Sequence, residues 1–184
     1  MNKRSGIESK KRILDAAMRV FSECGYANAN MRMIAKASDI SIGGLYLYFK
    51  NKEDLYLTLM KSKMDDFAVR TMESVKDITD PAEAISTFMA MTLNYAKKHK
   101  GLILLQGREL GFTFGIEMKI KFFKKQRGLI EHIIRQGMRS GIFRKVNVPE
   151  AARIIFGVIR GFVLSIVVEA DALFSPEECS KLLL

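Results

Sequence analysis

The residues best suited to chemistry in this chain lie between Ala29 and Lys52, which read as two short helices joined by a tight turn. Arg32, Lys36, Lys50 and Lys52 supply cations there, and Ser38, Ser41, Tyr46 and Tyr48 supply hydroxyls. A short helix carried into a groove by its neighbour is how many small proteins read duplex DNA. In such a pairing the phosphate contacts fix the docking, and base edges specify the sequence.

Charge agrees with a polyanion as partner. Of a net charge of +10, residues 1–52 hold ten Lys/Arg against four Asp/Glu, and the other 132 residues hold twenty against sixteen. The excess is thus densest where the two-helix motif lies, as a DNA-binding surface requires. Enzyme chemistry has little to stand on. His99 and His132 are isolated, no spacing suits a metal, and neither a phosphate-binding loop nor a nucleophile elbow occurs. No catalytic residue, metal ligand or cofactor is expected.

Cys24 and Cys179 have no partner motif and read as free structural thiols in a reducing cytoplasm. No secretory leader is expected ahead of the first helix. The longest apolar stretch, Ile154–Val168, is interrupted by Arg160 and falls short of the ~20 residues that a membrane span needs. A soluble cytoplasmic protein is expected.

The elements that must position the motif are helical. Hydrophobic residues make up 48% of the chain, enough for a packed core, and few stretches alternate with period two. The first helix is expected from Ser5 or Ser9 to Glu23. Ser5 and Glu8 form a capping box, Ile13, Leu14, Ala17, Met18 and Phe21 form the buried stripe, and Gly25 ends the helix with a left-handed turn. Asn28 or Asn30 caps a second helix, Met31–Ala37, and Ser41 caps a third, Ile42–Phe49. Ile34, Ile40, Leu45 and Phe49 form their common core, the small Ala35 lets them cross closely, and Asp39 takes the turn position of positive φ.

Asn51 caps a fourth helix that runs towards Val75, and Asp80-Pro81-Ala82-Glu83 opens a fifth that ends near Lys98. One or two short helices are expected in 102–116, then a long amphipathic helix over Glu117–Arg139, stopped by Gly141. Pro149–Ala170 is apolar nearly all round, so one side can pack on its own domain while the other needs a partner. Gly157 and Gly161 allow close backbone approach along it, and Ser175-Pro176-Glu177-Glu178 opens a last helix.

These signals together resemble the N-terminal domain of the tetracycline-repressor (TetR) family of bacterial regulators. The resemblance covers residues 13–59 and rests on Phe21, Gly25-Tyr26, Ile34-Ala35, Leu45-Tyr46, Tyr48-Phe49, Lys52-Glu53 and Leu55. The remainder matches the family in helix order and length. The resemblance implies an all-α fold, with a three-helix helix-turn-helix domain over residues 1–52 and an effector-binding and dimerisation domain over residues 53–184. It implies a homodimer through 117–139 and 149–170, and a small-molecule effector that shifts the fourth helix and separates the two reading heads. Two departures stand out. The family often has Gly where this chain has Asp39, and side chains where it has Gly43 and Gly44.

By resemblance Tyr46 and Lys52 are phosphate ligands, and Asn30, Arg32, Ser41, Ile42 and Tyr48 are groove or backbone contacts, with Gly43 and Gly44 at the start of the reading helix. For the effector, Met60, Met64, Phe67, Phe88, Met89, Met91, Leu104, Phe112 and Phe114 are the candidate cavity lining, although a Met or Phe stripe at helical spacing is usually ordinary core. Arg160 either pairs with Glu131 or Glu109 or anchors an acidic ligand. The function these features point to is a ligand-responsive transcriptional regulator, a repressor released from a palindromic operator by a small apolar or amphipathic effector. The alternative is a helical protein-interaction module without specific DNA binding.

Overall fold

The computed structural model describes residues 3–101, 103, 104 and 115–168. Its helices are α1 (Lys3–Asn28), α2 (Met31–Ala37), α3 (Ile42–Tyr46), α4 (Lys52–Val75), α5 (Pro81–Lys98), α6 (Ile116–Arg139) and α7 (Val148–Val168). No strand occurs among the described residues, and the fold is all-α. The chain forms two compact units, which part within α4 between Met64 and Asp65.

In the first unit the chain signals act largely where expected. Asn30, rather than Asn28, caps α2: its Oδ1 accepts the Met33 N–H at 3.0 Å. Ser41 Oγ accepts the Gly44 N–H at 3.1 Å and caps α3. Asp39 takes φ 53° between them, a conformation that costs a residue with a Cβ. The Asn51 Oδ1 accepts the Asp54 N–H at 2.8 Å, and the Asp54 carboxylate accepts the Lys50 N–H at 2.9 Å. That reciprocal pair satisfies two backbone donors at the start of α4.

Three boundaries differ from expectation. Helix α1 runs from Lys3, ahead of the expected start at Ser5 or Ser9. Gly25 breaks the helix with φ 80° and ψ 169°, a glycine-only conformation that is extended rather than left-handed helical, and helical turns resume to Asn28. Helix α3 stops at Tyr46 instead of Phe49, because the Leu47 and Tyr48 N–H groups close onto the Gly44 and Leu45 carbonyls in tighter, three-residue turns. Ile13, Ala17, Phe21, Ile34, Ala35, Leu45 and Phe49 are buried, whereas Leu14, Met18 and Ile40 are only half-buried.

In the second unit Ile85, Phe88, Met89 and Leu93 of α5 pack with Ile130, Ile133 and Ile134 of α6 and with Ala152, Phe156 and Ile159 of α7. Each large apolar side chain so buried stabilises the unit by ~1.5–3 kcal/mol. Asp80 and Pro81 open α5, with the Asp80 Oδ1 accepting the Ala82 N–H at 2.9 Å. Helix α7 begins at Val148, and Asn147, which sequence reading missed, accepts the Glu150 N–H at 3.3 Å. The α6–α7 turn depends on Gly137: a Cβ there would lie 2.2 Å from the Phe143 ring. The turn completes at Gly141 with φ 76°.

Helix α7 has 21 residues and is long and apolar enough to cross a membrane by length and composition, contrary to the expectation that it would fall short. Its Ala152, Phe156 and Ile159 face the core of its own unit, while Ile154, Leu164 and Val168 are each more than 60% exposed on this chain. Gly157 and Gly161 lie on the exposed side, where an added Cβ would meet nothing within 4 Å. The short helices expected within 102–116 and the last helix from Ser175 fall mostly or wholly outside the described residues.

Candidate nucleic-acid interface

Helices α2 and α3 are anchored from below and open above. Met31, Ile34, Ala35 and Leu45 hold them to the core of the unit. The opposite face carries Asn30, Arg32, Ser41, Ile42, Gly43 and Tyr46, all exposed, with Tyr46 at 52%. Gly44 and Tyr48 are half-buried. Two residues that sequence reading passed over join this face. Leu47 is 80% exposed and Met33 39%, and an exposed Leu beside two Tyr was the available signal. Arg19 of α1 donates from Nη2 to the Ala37 carbonyl at 3.2 Å, which braces the end of α2.

The two glycines of the reading helix are not alike. A Cβ on Gly44 would approach Ile40 Cγ2 to 3.0 Å and Ser41 Oγ to 3.1 Å, so packing against the turn accounts for that glycine. A Cβ on Gly43 would meet nothing within 4 Å. Gly43→Ala is therefore expected to leave the melting temperature unchanged or slightly raised, since Ala favours helix over Gly by ~0.8–1 kcal/mol. If the bare backbone lies against DNA, the same variant lowers operator affinity, which fluorescence anisotropy on a labelled duplex would read. Unchanged affinity would show that no DNA group comes near that position.

Lys52 is placed differently from its neighbours on the expected docking list. Its Nζ donates to the carbonyls of Tyr26 at 2.7 Å, Ala29 at 2.8 Å and Ala27 at 3.3 Å. It also lies 4.4 Å from the centre of the Tyr26 ring. An ammonium has three protons, and three carbonyls receive them here.

The expected effector residues are scattered. Met60 is buried and Met64 half-buried in the first unit. In the second, Phe67 is buried, Met91 is half-buried, and Phe88 and Met89 belong to the α5–α6–α7 core. Leu104 is half-buried, and Phe112 and Phe114 lie outside the described residues. Arg160 is exposed and does not pair with Glu131, whose carboxylate holds Arg135 at 2.7 Å; Glu109 lies outside the described residues. Instead the Arg160 guanidinium lies 4.4 Å from the centre of the Phe123 ring. There it gains the attraction of the aromatic face while staying hydrated.

A set of side chains that sequence reading did not group occurs in the second unit. Phe67 stands 4.7 Å from Tyr95 and 5.9 Å from Phe122 between ring centres, and Tyr95 stands 4.2 Å from His99. Thr71, one turn from Phe67, is fully buried; its hydroxyl donates to the Phe67 carbonyl at 3.0 Å, and its Oγ1 lies 3.4 Å from the Oε1 of Gln126, which is itself 2% exposed. Burial raises the Tyr95 hydroxyl pKa above its ordinary value, with a further push from the Asp66 carboxylate. Among the described residues no group of His, Cys, Asp and Glu could hold a metal ion.

Two short helices joined by a tight turn, held to the core on one side and carrying Arg32, Ser41 and Tyr46 on the other, have the architecture of a helix-turn-helix module. Comparison with known proteins agrees over both halves of the chain. Residues 13–59 match the family model "Bacterial regulatory proteins, tetR family", and residues 60–176 match "YsiA-like protein, C-terminal region". The fatty acid metabolism regulator protein of Bacillus subtilis is 30% identical over 151 residues, which is 80% of this chain and 77% of that one. The solved structure of the transcriptional regulator FadR from Bacillus subtilis in complex with stearoyl-CoA superposes with a TM-score of 0.75 at 28% identity, covering 93% of each chain. The fatty acid degradation regulator FadR from Bacillus halodurans superposes with a TM-score of 0.76 at 26% identity, covering 94% of this chain and 90% of that one. The chain belongs to the tetR family of bacterial regulatory proteins, and it is a ligand-responsive DNA-binding transcriptional regulator.

Proposed function

We propose that the protein is a cytoplasmic homodimeric repressor, released from a palindromic operator by a long-chain acyl-CoA thioester. The observation that carries the effector class is the similarity to the Bacillus subtilis regulator bound to stearoyl-CoA, which runs through nearly the whole of both chains. The rings of Phe67, Tyr95 and Phe122 in the second unit are suited to an acyl chain, and the Gln126 amide lies within the same unit beside Thr71. Asn30, Arg32, Ser41, Ile42, Gly43, Gly44, Tyr46 and Tyr48 form the docking surface in this reading. The α6–α7 pair forms the dimer, with Ile154, Leu164 and Val168 of α7 covered by the second copy.

The test is titration of the protein–operator complex with stearoyl-CoA, with stearate and coenzyme A as separate controls. Stearoyl-CoA alone is expected to weaken operator binding by about 5–150-fold, a coupling of ~1–3 kcal/mol, and operator DNA must weaken stearoyl-CoA binding by the same factor. Release by stearate alone would make the effector a free fatty acid. No release by any of the three would contradict the effector assignment while leaving DNA binding in place.

A further inference from the structure

We propose that Lys52 is a positioning residue, which clamps the α1–α2 corner to the start of α4 and so sets the pose of the reading pair without touching phosphate. The proposal rests on reading the outer face of α2 and α3 as the docking surface.

The geometry is that of a cap reached from a distant helix. At its C-terminal end a helix presents carbonyls that lack intrahelical partners and a partial negative charge, both of which favour a cation. Helix α1 ends at Asn28 and α2 begins at Met31. The carbonyls of Tyr26, Ala27 and Ala29 come from this corner, and all three receive the Lys52 ammonium. The Tyr26 ring provides a further face for the cation. That ring is fixed in turn, since it stacks on Phe21 at 5.6 Å and meets Tyr56 edge-on at 5.1 Å. Tyr56 follows Lys52 by one turn on α4, so two successive turns of α4 grip the same corner. Ala29 is 2% exposed and directly precedes Asn30, whose side chain caps α2. A shift of Lys52 is thereby passed to the first turn of α2. Helix α4 begins at Lys52, so the clamp joins the reading pair to the first turn of that helix.

Lys52→Arg separates clamp from phosphate ligand. A guanidinium binds phosphate at least as well as an ammonium, but its flat fork of donors does not converge on three carbonyls around one point. The experiment measures operator affinity of Lys52→Arg and Lys52→Met across salt, at a temperature where circular dichroism shows each fully folded. The clamp predicts that both variants lose about tenfold or more in affinity, because charge-assisted hydrogen bonds are lost, with the salt slope unchanged. It also predicts faster amide exchange at residues 29–31 in both. A phosphate ligand predicts a slope reduced by ~1 in Lys52→Met and wild-type affinity in Lys52→Arg, and that result overturns the proposal. Unchanged affinity in both variants also overturns it. Should Lys52→Met fail to fold, the affinity and slope of Lys52→Arg decide alone.

Discussion

Leu164→Glu is expected to leave the protein folded but monomeric, with operator binding weakened by about 100-fold or more. In the isolated chain Leu164 is 62% exposed, and exposed substitutions of this kind change stability by only ~0.5 kcal/mol. In a dimer built on the outer face of α7, the same side chain meets the second copy beside Gly161, and Ile154 and Val168 extend the stripe. A carboxylate buried there without a partner costs ~3–5 kcal/mol, and in a symmetric interface the cost falls twice. A helix-turn-helix dimer reads two half-sites, so a monomer loses half of its contacts. Sedimentation velocity gives the oligomeric state and anisotropy gives the affinity. A dimer that survives the substitution would place the interface elsewhere.

Leu45→Ala is expected to abolish operator binding by unfolding the reading pair. Leu45 has no exposed surface and is the buried residue by which α3 is held. Ile34 and Phe49 are likewise buried in the first unit. Removing a fully buried Leu side chain costs ~2–5 kcal/mol, against a total stability of ~5–15 kcal/mol for a typical domain. A thermal melt by circular dichroism should show a first transition moved down while the α5–α7 helices persist to the original temperature. An unmoved melt with operator binding intact would contradict the burial of α3 on this core.

How much of this was legible in the sequence depends on the range of the interactions. The caps at Asn30, Ser41, Asn51 and Asp80 act over two or three residues, so their residue types announced the helix starts. The strained Asp39 was legible for the same reason: turn chemistry is local. Lys52 was not legible, because its carbonyl partners come from residues 26–29, more than twenty positions earlier, and nothing beside Lys52 points to them. Gly43 and Gly44 are indistinguishable as letters; only the space above each backbone separates them.

Charge was a blunter pointer than it looked. Helix α6 carries Lys119, Lys121, Lys124, Lys125, Arg127, Arg135 and Arg139 against Glu117 and Glu131. A basic stretch therefore does not by itself mark a DNA face; the proposed one rests on the capped, outward-facing α2–α3 pair. Phe88 and Arg160 show the limits of reading an effector pocket from residue type. Helical spacing placed Phe88 on a buried face without saying that it joins a core shared by α5, α6 and α7. An Arg in an apolar helix suggested a buried charge, whereas Arg160 lies on the exposed side over Phe123. The ring set of Phe67, Tyr95 and Phe122 joins three helices, so no single stretch of sequence displays it.

The central claim is that a dimer of this chain reads duplex sequence through the α2–α3 face. Selection of random duplex DNA by the purified full chain, with affinity of the selected duplex followed across salt, tests it most directly. The account predicts enrichment of a near-palindrome, with half-site centres ~34–36 Å apart or a multiple of that, and an affinity that falls steeply with salt. Weak binding without enrichment, or an asymmetric single-site footprint, would contradict it.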